Sequence, residues 1–239
     1  MITVHHLNNS RSQRILWLLE ELDLAYEVKR YERDPETMAA PEALRHVHPL
    51  GKSPVITDSA TGRTLAESGA IIEYLAERYG SANREDAPLL PARAAGAENV
   101  STEMDAEYWD CKYWLHYAEG SLMPPLLVGL ITTRLRKAKM PFFAKPVASR
   151  IAAQIDSTFT LPRLKQHFSF IDNHLANRDW FSAKHLTVAD IQMSFPLEAA
   201  ASRGLLAKSY PNISAFVNRV HARPAYQAAL KRGGEYAFA

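Results

Sequence analysis

Apolar positions in the first 80 residues alternate between two spacings. Residues 2–7, Ile-Thr-Val-His-His-Leu, predict a short strand. Over 10–22 the period changes: Ile15, Leu18, Leu19 and Leu22 recur at i, i+3, i+4 and i+7, with Leu16 alongside, which predicts a helix. Apolar and charged residues alternate over 25–31, a second strand. A polar stretch at 32–47 holds a short helix at 41–46. Residues 55–57 and 63–65 read as a hairpin around Ser59-Ala-Thr-Gly62. Ile71, Ile72 and Leu75 form the stripe of a helix over 68–79 that Gly80 ends. The order β-α-β-α-β-β-α predicts a mixed four-stranded sheet in residues 1–80.

Residues 81–93 lose all periodicity and carry two prolines and several charges, the pattern of a linker. Beyond them strand signals vanish, and residues 94–239 read as an all-helical domain. A long helix over 94–119 is expected to stop at Gly120 and the Pro124-Pro125 pair. Helices follow at 126–139, 147–177, 187–203, 213–222 and 225–232, with a loop at 140–146 and a kink or break near Leu161 imposed by Pro162. Thr187-Val-Ala-Asp190 is a capping pattern with a structural role at the start of its helix.

Composition narrows the possibilities. The chain has 239 residues, 47% hydrophobic and 23% charged, which suits one large or two small globular domains with a real core. A net charge of +2, with Lys and Arg scattered, argues against nucleic acid as a partner. No apolar run reaches the roughly 18 residues that span a bilayer. Met1-Ile-Thr-Val-His-His lacks the signature of a signal peptide. Cys111 is the only cysteine, so no intrachain disulfide forms and a reducing, cytoplasmic compartment is expected.

Candidate chemistry concentrates in the first domain. Pro54 heads a strand after Gly51-Lys52-Ser53. About 5–6% of X–Pro bonds are cis, so the residues alone favour trans, while a cis bond would turn the backbone of Val55 outward. Glu67-Ser68 stands at the start of a helix. Ser68 fits an N-cap, and the free N–H groups there suit a carboxylate, with Glu67 placed to accept from an ammonium. Lys52 reads either as a solvated cation or as the partner of a second carboxylate, and His48 either as a turn residue or as part of the same edge. Ser10-Arg-Ser-Gln13 fits a capping box. Two readings of Ser10 stand side by side: a helix cap alone, or a hydroxyl that, with helix N–H groups, stabilises a thiolate; Arg11 nearby reads either as a solvated arginine or as a charge that adds to that field. The pair of devices suits a small extended peptide carrying both charges.

Residues 1–80 resemble the N-terminal, thioredoxin-like domain of the cytosolic glutathione transferases, and the helical second half resembles that family as well. The first loop, Asn9-Ser10-Arg11 before Arg14-Ile-Leu-Trp-Leu-Leu19, is similar to the bacterial and fungal serine-type branch. The resemblance implies a cis Ser53–Pro54 bond, Val55 backbone pairing with the cysteinyl part of glutathione, Glu67 and Ser68 on the γ-glutamyl group, Lys52 near the glycyl carboxylate and Ser10 at the thiolate. It implies glutathione as co-substrate, no metal, a cytoplasmic homodimer and a detoxifying conjugation to small apolar electrophiles. Trp109, Tyr113, His116, Tyr117 and Met123 are the candidates for the electrophile pocket, with a plain core role as the alternative. The first loop has no cysteine, which argues against a protein mixed disulfide. A glutathione-dependent disulfide reductase or peroxidase, and a non-catalytic binding module, are the other readings. His6 is expected to be a packed histidine of the sheet.

Overall fold

The computed structural model describes residues 1–80, 87–92, 102–206 and 209–239. Strands β1 (Ile2–Leu7), β2 (Tyr26–Tyr31), β3 (Val55–Asp58) and β4 (Arg63–Ala66) form one sheet in the order β2-β1-β3-β4. β1 runs parallel to β2 with Ile2 opposite Tyr26, and antiparallel to β3 with His5 opposite Val55. β3 and β4 close as an antiparallel hairpin, Val55 opposite Ala66. The mixed four-stranded sheet expected from the periodicity is present. The helix expected at 41–46 is a single 3₁₀ turn, Glu42–Leu44, that buries Leu44.

Helix α1 (Gln13–Glu21) follows β1, and α2 (Ser68–Tyr79) follows β4. Both begin differently from the capping patterns. Ser12, not Ser10, precedes α1, and the Gln13 side chain has no hydrogen-bond partner, so the Ser10–Gln13 capping box does not form. Gln13 is buried under α9, where no backbone N–H of the loop reaches it. Glu67 is the residue before α2, with Ser68 the first helical position, because the hydroxyl of Ser68 is engaged from below by other side chains.

The rest is helical: α3 (Thr102–Tyr117), α4 (Met123–Lys137), α5 (Lys145–Ile155), α6 (Leu161–Leu175), α7 (Val188–Ala201), α8 (Pro211–His221) and α9 (Pro224–Gly233). The long helix does not stop at Gly120 and Pro124. It passes through a wider π turn, Ala118–Leu122, straight into α4: the Met123 N–H donates to the Ala118 carbonyl five residues back, and the wider turn makes room for Pro124 and Pro125, which have no N–H to donate. The stretch 147–177 is likewise two helices, α5 and α6, joined by a π turn at Asp156–Thr160 with Pro162 in the first turn of α6, so the interruption falls where Pro162 puts it. The start of the long helix at 94–101 and the linker positions 81–86 and 93 lie outside the described residues. Residues 87–92 are irregular but anchored: Leu89 is buried and its carbonyl accepts from the Val188 N–H at 2.7 Å. At α7, the Asp190 carboxylate accepts from the Thr187 N–H and hydroxyl and from the Phe181 N–H at 2.7–2.8 Å, as the capping pattern requires.

α1 is the centre of the molecule. Ile15, Leu16, Trp17, Leu18 and Leu19 are all fully buried, because α7 and α9 cover the faces that the sheet does not. Trp17 meets Tyr226 edge to face at 5.5 Å. Gly233 makes this contact close: a Cβ there would lie 2.8 Å from the Gln13 Oε1 and 2.9 Å from Leu16.

Candidate functional site

A cleft of about 780 Å³ opens between the sheet edge and the helical half. Three backbone features bring residues to it. The loop after β1 places Asn9 there in a left-handed conformation (φ 48°) that asparagine tolerates. The Ser53–Pro54 peptide bond is cis, against the expectation from the residues alone and in line with the resemblance, and Lys52, Ser53 and Pro54 line the wall. Glu67 takes φ 71°, ψ 118°, an uncommon conformation for a residue with a side chain, and with Ser68 puts the start of α2 at the cleft. The first hydrogen bond of α2 runs from the Ile71 N–H to the Glu67 carbonyl, so the N–H groups of 68–70 carry no intrahelical bond.

Ser68 is held in a polarised position. Its Oγ accepts from Arg14 Nη2 at 2.9 Å and from Gln192 Nε2 at 3.2 Å. With both lone pairs occupied, the hydroxyl hydrogen remains free to donate. Arg14 is fully buried and also donates to the Gln192 carbonyl at 2.6 Å and to Glu119 at 2.7 Å. Glu119 sits in the π turn after α3 and takes two further bonds from Arg11 Nε at 2.8 and 3.0 Å. Arg11 stacks over Phe195 at 5.1 Å rather than pointing into solvent. Burial opposes the charge of Glu119, but Arg14 and Arg11 outweigh it and hold the carboxyl below its ordinary range. Sequence reading missed Arg14 and Glu119, since nothing in the spacing shows that positions 105 residues apart meet.

Ser10 is buried and stands behind the wall of the cleft. Its Oγ lies 2.7 Å from Ser12 Oγ and 3.5 Å from Ser53 Oγ, and accepts from the Ser12 N–H at 3.2 Å. Ser12 Oγ in turn is 2.8 Å from His6 Nδ1. Burial, with Arg30 adding, pushes the His6 imidazole down to about 4, so it is neutral, and it also bonds the Gly233 backbone. A neutral ring that donates to Gly233 leaves Nδ1 as acceptor. Ser12 then donates to His6, and Ser10 to Ser12. His6 is thus packed in the sheet, as expected, but wired to the loop. Asn9 Oδ1 accepts from the Ala237 N–H at 2.8 Å, which leaves its amide NH₂ without a partner among the described residues.

The pocket candidates divide. Met123 lines the cleft. Trp109, Tyr113, His116 and Tyr117 do not, and this corrects the expectation that the helix before Gly120 faces the ligand. Trp109 and Tyr113 project outward from α3, 54% and 49% exposed, and His116 is exposed. Tyr117 is buried and hydrogen-bonded to His167. The π turn re-aims the chain, so the apolar lining comes instead from α4, α7 and the C-terminal tail, including Leu130, Phe195 and Phe238. Val55, buried at the head of β3, is paired in register with His5 and Ala66. Cys111 is buried away from the cleft, its thiol pushed up to about 11 by burial.

The profile of the glutathione S-transferase N-terminal domain matches residues 10–78, and that of the glutathione S-transferase C-terminal domain matches residues 131–224. The chain is 36% identical to glutathione S-transferase 3 of Schizosaccharomyces pombe, over 97% of this chain and 88% of the relative. It is 34% identical to glutathione S-transferase 1 of Saccharomyces cerevisiae, over 97% and 95%. The crystal structure of a glutathione S-transferase from Actinobacillus pleuropneumoniae superposes with a TM-score of 0.74 at 32% identity, covering 99% of this chain and 94% of the other. With near-complete coverage at this identity, and with both halves matched, the chain belongs to the glutathione S-transferase family.

Proposed function

We propose that this glutathione S-transferase binds glutathione along the Ser53-Pro54-Val55 edge and conjugates its sulfur to an electrophile held against α4 and α7. The observation that carries the reading is the convergence of three elements on one cleft: the loop before α1, the cis Ser53–Pro54 turn and the free end of α2. The open N–H groups of 68–70 and the Ser68 hydroxyl suit the α-carboxylate of the γ-glutamyl group, and Glu67 suits its ammonium. Lys52 suits the glycyl carboxylate. These assignments place the sulfur toward Asn9 and Ser10.

A thiol has a pKa near 8.5 and is mostly protonated at neutral pH, so stabilising the thiolate is the first task. The Asn9 amide donates to it directly. Ser10 joins by turning its hydrogen from Ser12 to the sulfur, at a cost of about 1 kcal/mol for the bond released. The proton leaves to solvent. The thiolate then forms a sulfur–carbon bond with the electrophile, and the leaving group departs with its electron pair. The burial and high thiol pKa of Cys111 support a route that uses only the sulfur of glutathione. The exposed Trp109 and Tyr113 on α3 and Phe170 on α6 support a homodimer that buries this face.

Titration of the ultraviolet thiolate absorbance of bound glutathione against pH tests the reading. Wild type should ionise about one unit or more below free glutathione. Ser10→Ala and Asn9→Ala should each raise that midpoint. A wild-type midpoint equal to that of free glutathione would overturn the proposal.

A further inference from the structure

Charge in the cleft is lopsided. Arg33, Arg134 and Arg203 line it together with Lys52 and Arg11, while Glu67 and Glu119 are the carboxylates of the lining. Glu119 is already spent on Arg11 and Arg14. Among the described residues none of Arg33, Arg134 and Arg203 is paired with a carboxylate. Two of them are fixed by neutral acceptors that leave their charge uncancelled: Arg33 donates to the Asn8 and Met38 carbonyls at 3.2 and 3.0 Å, and Arg203 to the Leu126 carbonyl at 3.1 Å. The charge of Arg134 acts on both of the others. Arg33 and Arg203 are both held below the ordinary guanidinium range, first by burial and then by the charge of Arg134.

Glutathione does not absorb this excess. Its ammonium goes to Glu67, and its two carboxylates go to the α2 end and to Lys52. Three guanidiniums then remain around an apolar wall that includes Leu127, Leu130 and Phe238. We infer that the second substrate is an amphipathic organic anion, with an aromatic or aliphatic body on that wall and a carboxylate, sulfonate or phosphate among Arg33, Arg134 and Arg203. This rests on the transferase reading and replaces a purely apolar electrophile with an acidic one. Arg134 comes from α4 and Arg203 from the turn after α7, so the specificity belongs to the helical half while Arg33 contributes from the loop after β2.

The experiment compares two fluorescent probes of nearly equal shape on the full chain, 8-anilinonaphthalene-1-sulfonate and the neutral N-phenyl-1-naphthylamine, with and without S-methylglutathione. The sulfonate should bind wild type about tenfold more tightly than the neutral probe. Arg134→Gln and Arg203→Gln should each weaken the sulfonate about threefold and the double variant about tenfold, with the neutral probe unchanged. Equal affinity for the two probes in wild type, or parallel losses for both in the variants, would overturn the inference. Turnover of 1-chloro-2,4-dinitrobenzene, a neutral electrophile, is measured separately. Its absence counts against the transferase reading and leaves probe binding to decide the anion site.

Discussion

A neutral histidine behind the loop before α1 links fold stability to pH. The folded chain holds His6 near 4, against 6.5 when unfolded. Unfolded chains therefore take up this proton below pH 6.5 while the folded one resists until about 4, so stability is lost as pH falls through that window. The difference is worth about 3 kcal/mol. The stability advantage of wild type over His6→Gln, from urea denaturation at several pH values, should narrow by about that amount between pH 7 and pH 4. Parallel curves would show that His6 does not titrate differently on folding. The residue types at 5–12 were legible in the sequence as candidates for chemistry, but the order Ser10–Ser12–His6 was not. A histidine in a strand and a serine in the next loop meet only once β1 and α1 have packed.

Elements start and stop where local chemistry and packing agree, and the two π turns show what happens when they do not. Gly120 and Pro124 read as a stop signal, yet the chain stays helical because the wider turn takes up the mismatch that the prolines impose. Contacts separate the glycines. Nothing lies within 4 Å of a Cβ added at Gly120, so Gly120→Ala should change the melting temperature little. Gly233→Val would press on Gln13 and Leu16 at the α1–α9 contact and should cost about 2 kcal/mol, read as a lower melting temperature. Equal effects of the two substitutions would refute the close approach of α9 to α1.

Across the whole molecule, Arg14 ties the halves together. It reaches Ser68 at the start of α2, the Gln192 carbonyl of α7 and Glu119 of the π turn, and its side chain is fully buried. Removing the carboxylate leaves a buried cation short of its partner, which costs about 3 kcal/mol. Glu119→Gln should therefore lower the denaturation midpoint substantially, and pairing it with Arg14→Met should recover part of the loss. Additive losses in the double variant would mean that the two residues act independently. The same network orients Ser68, so the glutathione affinity of Glu119→Gln should fall with stability rather than remain at the wild-type level.

Strand and helix periodicity and the Thr187–Asp190 cap were readable along the chain, because each depends on neighbours within a few residues. So were Lys52, Ser53, Pro54, Glu67 and Ser68, which short motifs carry to the cleft. What lines the rest of the cleft was decided by the tertiary structure. Trp109 and Tyr113 face outward, while Arg33, Arg134, Arg203 and Phe238 converge from the loop after β2, from α4, from the turn after α7 and from the tail. Periodicity reports that a helix has an apolar face, but which element covers that face, and whether a charge meets a carboxylate, depends on contacts between residues far apart in sequence.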